Sequence, residues 1–239
     1  MLIYGHRGAR GEAPENTLAS FQACLAAGVQ RSELDLHLSK DGHLMVIHDA
    51  TLKRTTGRRG KVRHYTAAQL LQMDARHDTV AWPTPCPIPT LEQLFAQCPF
   101  SHWQLEVKEA SQRRAAEIVY AIEQLSARYQ LQDKIVITSS SRTVLRAAHH
   151  LAPHLARGLV AEYAWLDPIK IAQRYGCTVL ALKASLASKK RITQAQQAGL
   201  HVSVWTVNEP ALMHRLAANG ADSLITDFPG LAIASLGNH

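Results

Sequence analysis

The 239-residue chain lacks any run of about 18 apolar residues, so despite a hydrophobic content of 46% nothing in it reads as a membrane-spanning helix. Its first residues, Met1-Leu-Ile-Tyr-Gly-His-Arg7, leave no room for a basic n-region and an apolar h-region, and no secretory signal is expected. Cysteine is scarce. Cys24, Cys86, Cys98 and Cys177 stand in unrelated contexts without CxxC spacing, which argues against a disulfide framework and for reduced thiols in the cytoplasm. Internal repeats, low-complexity tracts and amphipathic membrane anchors are also missing, so no stable membrane attachment is expected. Acid is outnumbered: 26 Lys and Arg against 19 Asp and Glu give a formal charge of +7, which favours anionic ligands. The densest basic stretch, Arg54 to His64, has no interleaved aromatics and fits no nucleic-acid module; it reads as a solvated loop, and no nucleic-acid partner is expected.

What is present is an alternation of short apolar runs with amphipathic helical stretches, the rhythm of parallel strands joined by crossover helices. Candidate strands lie at 2–5, 32–38, 44–48, 103–107, 135–139, 157–161, 178–182, 201–207 and 223–226. Helices are expected from Pro14 to Ala27 closed by Gly28, from Ser111 to Tyr129, and from Thr193 to Ala198 closed by Gly199. Ser39-Lys-Asp-Gly42 is too short for a parallel crossover and predicts a hairpin, so the run 44–48 should lie antiparallel to 32–38. Eight parallel strands then remain, the number for a TIM-type (β/α)8 barrel, for which a chain of this length suits one domain, 1–239. Residues 50–88 interrupt the alternation and read as a small inserted unit capping the barrel mouth, with one helix capped by Thr66 and an extended run from Trp82 to Pro89.

Chemistry-bearing residues collect at the predicted strand ends. Glu33 and Asp35 alternate with Leu34 and Leu36, so both acids face one way on a strand that otherwise reads as core. Two such anions call for a cation, although a solvated edge strand with exposed acids gives the same pattern. Glu106 and Lys108 repeat the i, i+2 spacing. A buried ion pair of these two would still leave Glu33 and Asp35 without an opposite charge, whereas one divalent cation satisfies all three acids; oxygen ligands point to Mg2+ or Ca2+ rather than zinc. His6 ends the first strand, and the hairpin carries His48 roughly opposite Glu33 and Asp35. Two imidazoles flanking such a centre suit a hydrolytic displacement, one as general base and one as general acid. Arg7 and Lys108 offer positive charge for phosphate oxygens. Glu15 and Asn16 are either helix-start residues or hydrogen-bond partners of the site, and Trp205 is either core or a shelf for a small polar ligand.

The set His6-Arg-Gly8, Glu15-Asn-Thr17, Glu33-Leu-Asp35, Lys40-Asp-Gly42, His48-Asp49, Arg54-Thr-Thr56, Glu106-Val-Lys108, Trp205-Thr-Val-Asn208 and Thr226-Asp-Phe-Pro229 resembles the glycerophosphodiester phosphodiesterase family along nearly the whole chain. That resemblance implies hydrolysis of glycerophosphodiesters to sn-glycerol 3-phosphate and an alcohol in a short cytoplasmic enzyme. It assigns Glu33, Asp35 and Glu106 to the metal, His6 to the base and His48 to the acid. Arg7 and Lys108 go to the phosphate and Trp205 to the glycerol. One departure is Thr56-Gly-Arg-Arg-Gly60, where the family pattern has Asn-Gly followed by a small residue. A lysophospholipase D-like phosphodiesterase and a non-catalytic barrel binding a phosphorylated ligand are the competing expectations.

Overall fold

A computed structural model describes residues 1–108, 110–163 and 167–237. Strands β1 (Leu2–His6), β2 (Arg31–Leu38), β3 (Leu44–Val46), β4 (His102–Val107), β5 (Ile135–Ser139), β6 (Ala156–Ala161), β7 (Val179–Lys183), β8 (His201–Trp205) and β9 (Ser223–Thr226) form one sheet. All but β3 run parallel in the order β1-β9-β8-β7-β6-β5-β4-β2, and β1 pairs back onto β2, so the sheet closes into the expected TIM barrel. β1 stops at the pairing of His6 with Glu33. The remainder of β2 therefore has a free edge, and β3 takes it as the antiparallel arm of the hairpin, with Leu36 opposite Val46 and Leu38 opposite Leu44. That arm is shorter than the run 44–48: the Ile47 amide still donates to the Asp35 carbonyl at 3.0 Å, but His48 has left the ladder.

The helices are α1 (Leu18–Ala26), α2 (Lys53–Thr56), α3 (Ala67–Leu70), α4 (Leu91–Gln97), α5 (Gln112–Arg128), α6 (Arg142–Leu151), α7 (Pro168–Arg174), α8 (Lys189–Gln197), α9 (Pro210–Ala218) and α10 (Pro229–Leu236). Thr17, Thr90, Ser111 and Ser188 each accept a backbone N–H in the first turn that follows, satisfying donors a helix start leaves free. Two starts differ from expectation. α1 begins at Leu18 rather than Pro14, because Asn16 adopts φ +57° and Thr17 is extended, which breaks the helical path before the cap. α8 begins at Lys189, ahead of Thr193, since its first turn is polar and carries no apolar period to read.

The main core lies between strands and helices, where Leu34, Leu36, Leu105 and Val107 meet Phe21, Trp103 and the inner faces of the helices. Inside the barrel the filling is unexpectedly polar. Gln104 of β4 donates to Ser203 of β8 at 3.2 Å, and Tyr4 of β1 bonds His102 of β4 at 3.1 Å. β4 and β8 stand opposite each other in the ring, so the first bond crosses the barrel axis, whereas β1 and β4 flank β2 and the second bond spans that one strand. Paired polar groups there hold the barrel shut below the mouth without an unsatisfied buried atom. Within 50–88 a second, smaller core gathers Leu52, Val62, Leu70, Met73 and Ile88 against Met45 and Ile47 of the hairpin. No helix among the described residues is long and apolar enough to cross a membrane.

Candidate active site

β1 delivers His6 to the C-terminal end of the barrel, and the chain then reverses sharply, with Arg7 at φ +52° and Gly8 at φ +82°. A Cβ on Gly8 would stand 2.5 Å from the Ser20 backbone, so only glycine permits this turn. The reversal is held by the Arg7 carbonyl, which accepts from the Asn16 amide at 3.0 Å and the Ser20 hydroxyl at 2.8 Å. It aims the Arg7 amide at Glu33 Oε2, 3.1 Å away. Asn16, also left-handed, turns its own amide onto Asp35 Oδ2 at 2.8 Å.

Oxygen atoms of Glu33, Asp35 and Glu106 lie within 4.8 Å of one another, and Glu33 and Asp35 are buried. The two strand acids are not equivalent. Asp35 is gripped by Arg7 Nε at 3.0 Å and Lys108 Nζ at 2.6 Å. Although burial opposes it, these cations hold the Asp35 carboxyl well below the usual carboxylate range. The sequence argument that Asp35 lacks an opposite charge is thus corrected: Lys108 bridges Asp35 and Glu106, the latter at 2.8 Å. Glu33 is the acid left over. Its Oε1 is buried without a hydrogen-bond partner, and burial, Asp35 and Glu106 together push its pKa well above the ordinary value.

Each histidine is held at Nδ1 by a carboxylate. His6 Nδ1 lies 2.5 Å from Asp227 Oδ1, and Asn208 fixes Asp227 by donating to Oδ2 at 2.8 Å and accepting its amide at 2.9 Å. Because a carboxylate only accepts, His6 carries its proton on Nδ1 and turns a free Nε2 toward Glu33, 4.0 Å away. Burial lowers the His6 pKa against the pull of Asp227, so the ring rests neutral. His48 Nδ1 bonds Asp49 Oδ1 at 2.7 Å, and Arg54 spans Asp49 at 2.8 Å and Glu15 at 2.7 Å. Glu15 in turn receives Arg7 at 2.9 Å. One charged network therefore runs from His48 through Asp49, Arg54, Glu15, Arg7 and Asp35 to Lys108.

Counting that network with Glu33, Glu106, Asp227 and Arg10, six carboxylates face four cationic side chains. The excess of two negative charges equals the charge of one divalent cation. With the orphaned Glu33 oxygen and the all-oxygen donor set, the residues fit a hard divalent ion.

These groups surround a cavity of about 400 Å³, lined by His6, Arg7, Glu33, Glu106 and Lys108 on one side and by Val160, Ala181, Trp205 and Ile225 on the other. Trp205 donates its indole N–H to the Ala181 carbonyl at 3.1 Å, which fixes the ring at the wall. His48 reaches the same cavity with about a third of its side chain exposed. All ten residues singled out in the sequence thus belong to one assembly; Glu15 and Asn16 serve as partners of Arg7 and Asp35, not as the first turn of α1. Sequence reasoning missed the roles of Asp227, Asn208, Asp49, Arg54 and Arg10. Asp227 did leave a signal, an acid one residue past a barrel strand.

Residues 6–231 match the sequence model of the glycerophosphoryl diester phosphodiesterase family. A glycerophosphodiester phosphodiesterase of Bacillus altitudinis is 30% identical over 240 residues, covering 97% of this chain and 96% of the relative. A crystal structure from Silicibacter pomeroyi superposes with a TM-score of 0.92 at 27% identity, over 99% of this chain and 93% of the other. An Oleispira antarctica phosphodiesterase solved with the product sn-glycerol 3-phosphate gives a TM-score of 0.89 at 25% identity, over 100% and 97% of the two chains.

Proposed function

The chain belongs to the glycerophosphoryl diester phosphodiesterase family, a family of phosphoric diester hydrolases, and from that membership we propose that it hydrolyses glycerophosphodiesters to sn-glycerol 3-phosphate and an alcohol. The observation that carries the reading is the pair of carboxylate-held imidazoles opening on one cavity beside three clustered acids.

His6 is the general base: its Nε2 is unprotonated and its ring cannot rotate away from Asp227. His48 is the general acid, giving a proton to the departing alkoxide at the exposed edge of the cavity. Lys108 spends two of its three donors on Asp35 and Glu106, leaving one for a phosphate oxygen, and Arg7 likewise keeps free guanidinium donors beside it. Trp205 shelves the glycerol carbons. Glu33, Asp35 and Glu106 are the proposed ligands of Mg2+ or Ca2+, which when bound supplies positive charge against the phosphate oxygens as their negative charge grows. Residues 50–88 form the proposed inserted unit at the mouth, on the side where His48 emerges. The four buried free thiols support a cytoplasmic location.

The direct test is release of the free alcohol, choline or ethanolamine, with glycerol 3-phosphate as co-product from glycerophosphocholine and glycerophosphoethanolamine, and with lysophosphatidylcholine, which yields choline and an acylated glycerol phosphate, as the competing substrate. The expected result is release from the two water-soluble diesters that stops with chelator and returns with Mg2+ or Ca2+. Absence of metal-dependent release, or release from the lysophospholipid alone, overturns the proposal.

Asp227 is a positioning residue. Asp227→Asn is expected to lower turnover by on the order of a hundredfold, since an amide that donates to His6 Nδ1 strands the proton on the wrong nitrogen. Combined with His6→Ala it should cost almost nothing further, because both changes remove the same base. Additive losses in the double variant would contradict this coupling.

A further inference from the structure

His48 and Lys108 line both the central cavity and an adjoining cleft. That cleft in turn shares His37, Ala50, Lys108, Ala110 and Ser111 with a further cavity of about 210 Å³ between the inserted unit and the first turn of α5. The basic stretch that reads as a solvated loop in the sequence supplies the wall of this annexe: the fold lays Lys61 and Arg63 against it, opposite Arg114. Among the described residues Lys61 and Arg63 have no acidic partner within salt-bridge distance, and the Arg114 guanidinium donates only to the Leu38 carbonyl, at 2.9 Å. No carboxylate is among the described residues lining the annexe, and Asp49 in the cleft is taken by His48 and Arg54. The backbone amides at the N-terminus of the 17-residue α5 add positive potential at the same wall.

A diester whose glycerol arm lies in the barrel cavity, with its leaving oxygen at His48, directs its alcohol arm into this cleft. We propose that the annexe is the subsite for the leaving alcohol, and that Lys61, Arg63 and Arg114, which pair with no acid among the described residues, select alcohols that carry a second phosphate over neutral and cationic ones. The inference rests on the hydrolase reading given above. Among the described residues lining it, a quaternary ammonium headgroup finds neither a free carboxylate nor an aromatic cage, and meets like charge from Lys61, Arg63 and Arg114.

Two substrates isolate the charge. In sn-glycero-3-phosphoglycerol the leaving alcohol is neutral glycerol; in 1,3-bis(sn-glycero-3-phospho)glycerol it is the same glycerol bearing a further phosphodiester. At low ionic strength the anionic substrate should show about tenfold higher kcat/KM per scissile bond, and glycerophosphocholine the lowest value. The preference should shrink as salt rises, because the charges involved are exposed. In Lys61→Ala/Arg63→Ala it should collapse to within about twofold. Equal kcat/KM for the two glycerol diesters, or a preference untouched by the double substitution, overturns this proposal while leaving the hydrolase reading intact. Failure to hydrolyse any of the three overturns both.

Discussion

Alanine at His6 or at His48 is expected to lower turnover of an alkyl diester by on the order of a hundredfold or more, with the fold retained. The two losses should then part company when the leaving group changes. A diester that expels p-nitrophenolate needs no proton at the leaving oxygen, so His48→Ala should regain most of its rate on that substrate. His6→Ala should not, because the attacking oxygen must lose its proton whatever departs. The asymmetry follows from placement: His6 is buried at the barrel end and neutral, whereas His48 lies just past the hairpin arm where the cavity opens. Undiminished turnover in His48→Ala, or equal deficits of both variants on both substrates, would sink the division of roles. Circular dichroism and the thermal midpoint separate these outcomes from unfolding. His48 is the cleaner case, since its removal leaves Asp49 still bonded to Arg54.

Much of this architecture was legible because it rests on period and turn length. The nine strand runs, the Asp41-Gly42 hairpin and the same-side pairing of Glu33 with Asp35 follow from alternation and from the reach of a four-residue turn. The closed barrel follows from counting what remains once the hairpin is removed. What escaped the sequence depends on contacts across distant segments. Asp227 lies 221 residues from His6 along the chain, and only ring closure of β9 against β1 brings them together. The polar filling of the barrel was hidden for a related reason: Gln104 and Ser203 look like isolated polar interruptions until the barrel places them face to face. The start of α1 was misjudged because Asn16 and Thr17 resemble ordinary helix-start residues. Asparagine is among the few non-glycine residues that readily take a left-handed φ, and here that turn carries its side chain to Asp35, a partner that local sequence does not reveal.

Glu33→Gln and Asp35→Asn, conservative changes two residues apart on one strand face, are expected to differ in stability, with only Asp35→Asn losing it, while both depress activity by at least about a hundredfold. Asp35 compensates two cations, the buried Arg7 and the half-buried Lys108. Neutralising it strands Arg7 and Lys108 with diminished partners, and removing one side of such a buried pair costs about 3–5 kcal/mol. In a domain of this size that lowers the thermal midpoint by roughly 2–4 °C for each kcal/mol. Glu33 makes no salt bridge to a Lys or Arg side chain among the described residues: one oxygen accepts only the Arg7 amide and the other has no hydrogen-bond partner, with burial, Asp35 and Glu106 outweighing the pull of Arg7 and Lys108. Glutamine there keeps the volume and removes the charge conflict, so the metal-free midpoint should hold or rise. The cation-induced gain is where Glu33 contributes. Mg2+ or Ca2+ at about a hundred times its dissociation constant should stabilise the unmodified protein by about 2.7 kcal/mol, and this shift should vanish in Glu33→Gln. Differential scanning fluorimetry with chelator and with added cation measures both quantities without any substrate. A metal-free midpoint that falls in Glu33→Gln as far as in Asp35→Asn would show that Glu33 is an ordinary structural partner. Retention of the cation-induced shift in Glu33→Gln would remove Glu33 from the ligand set.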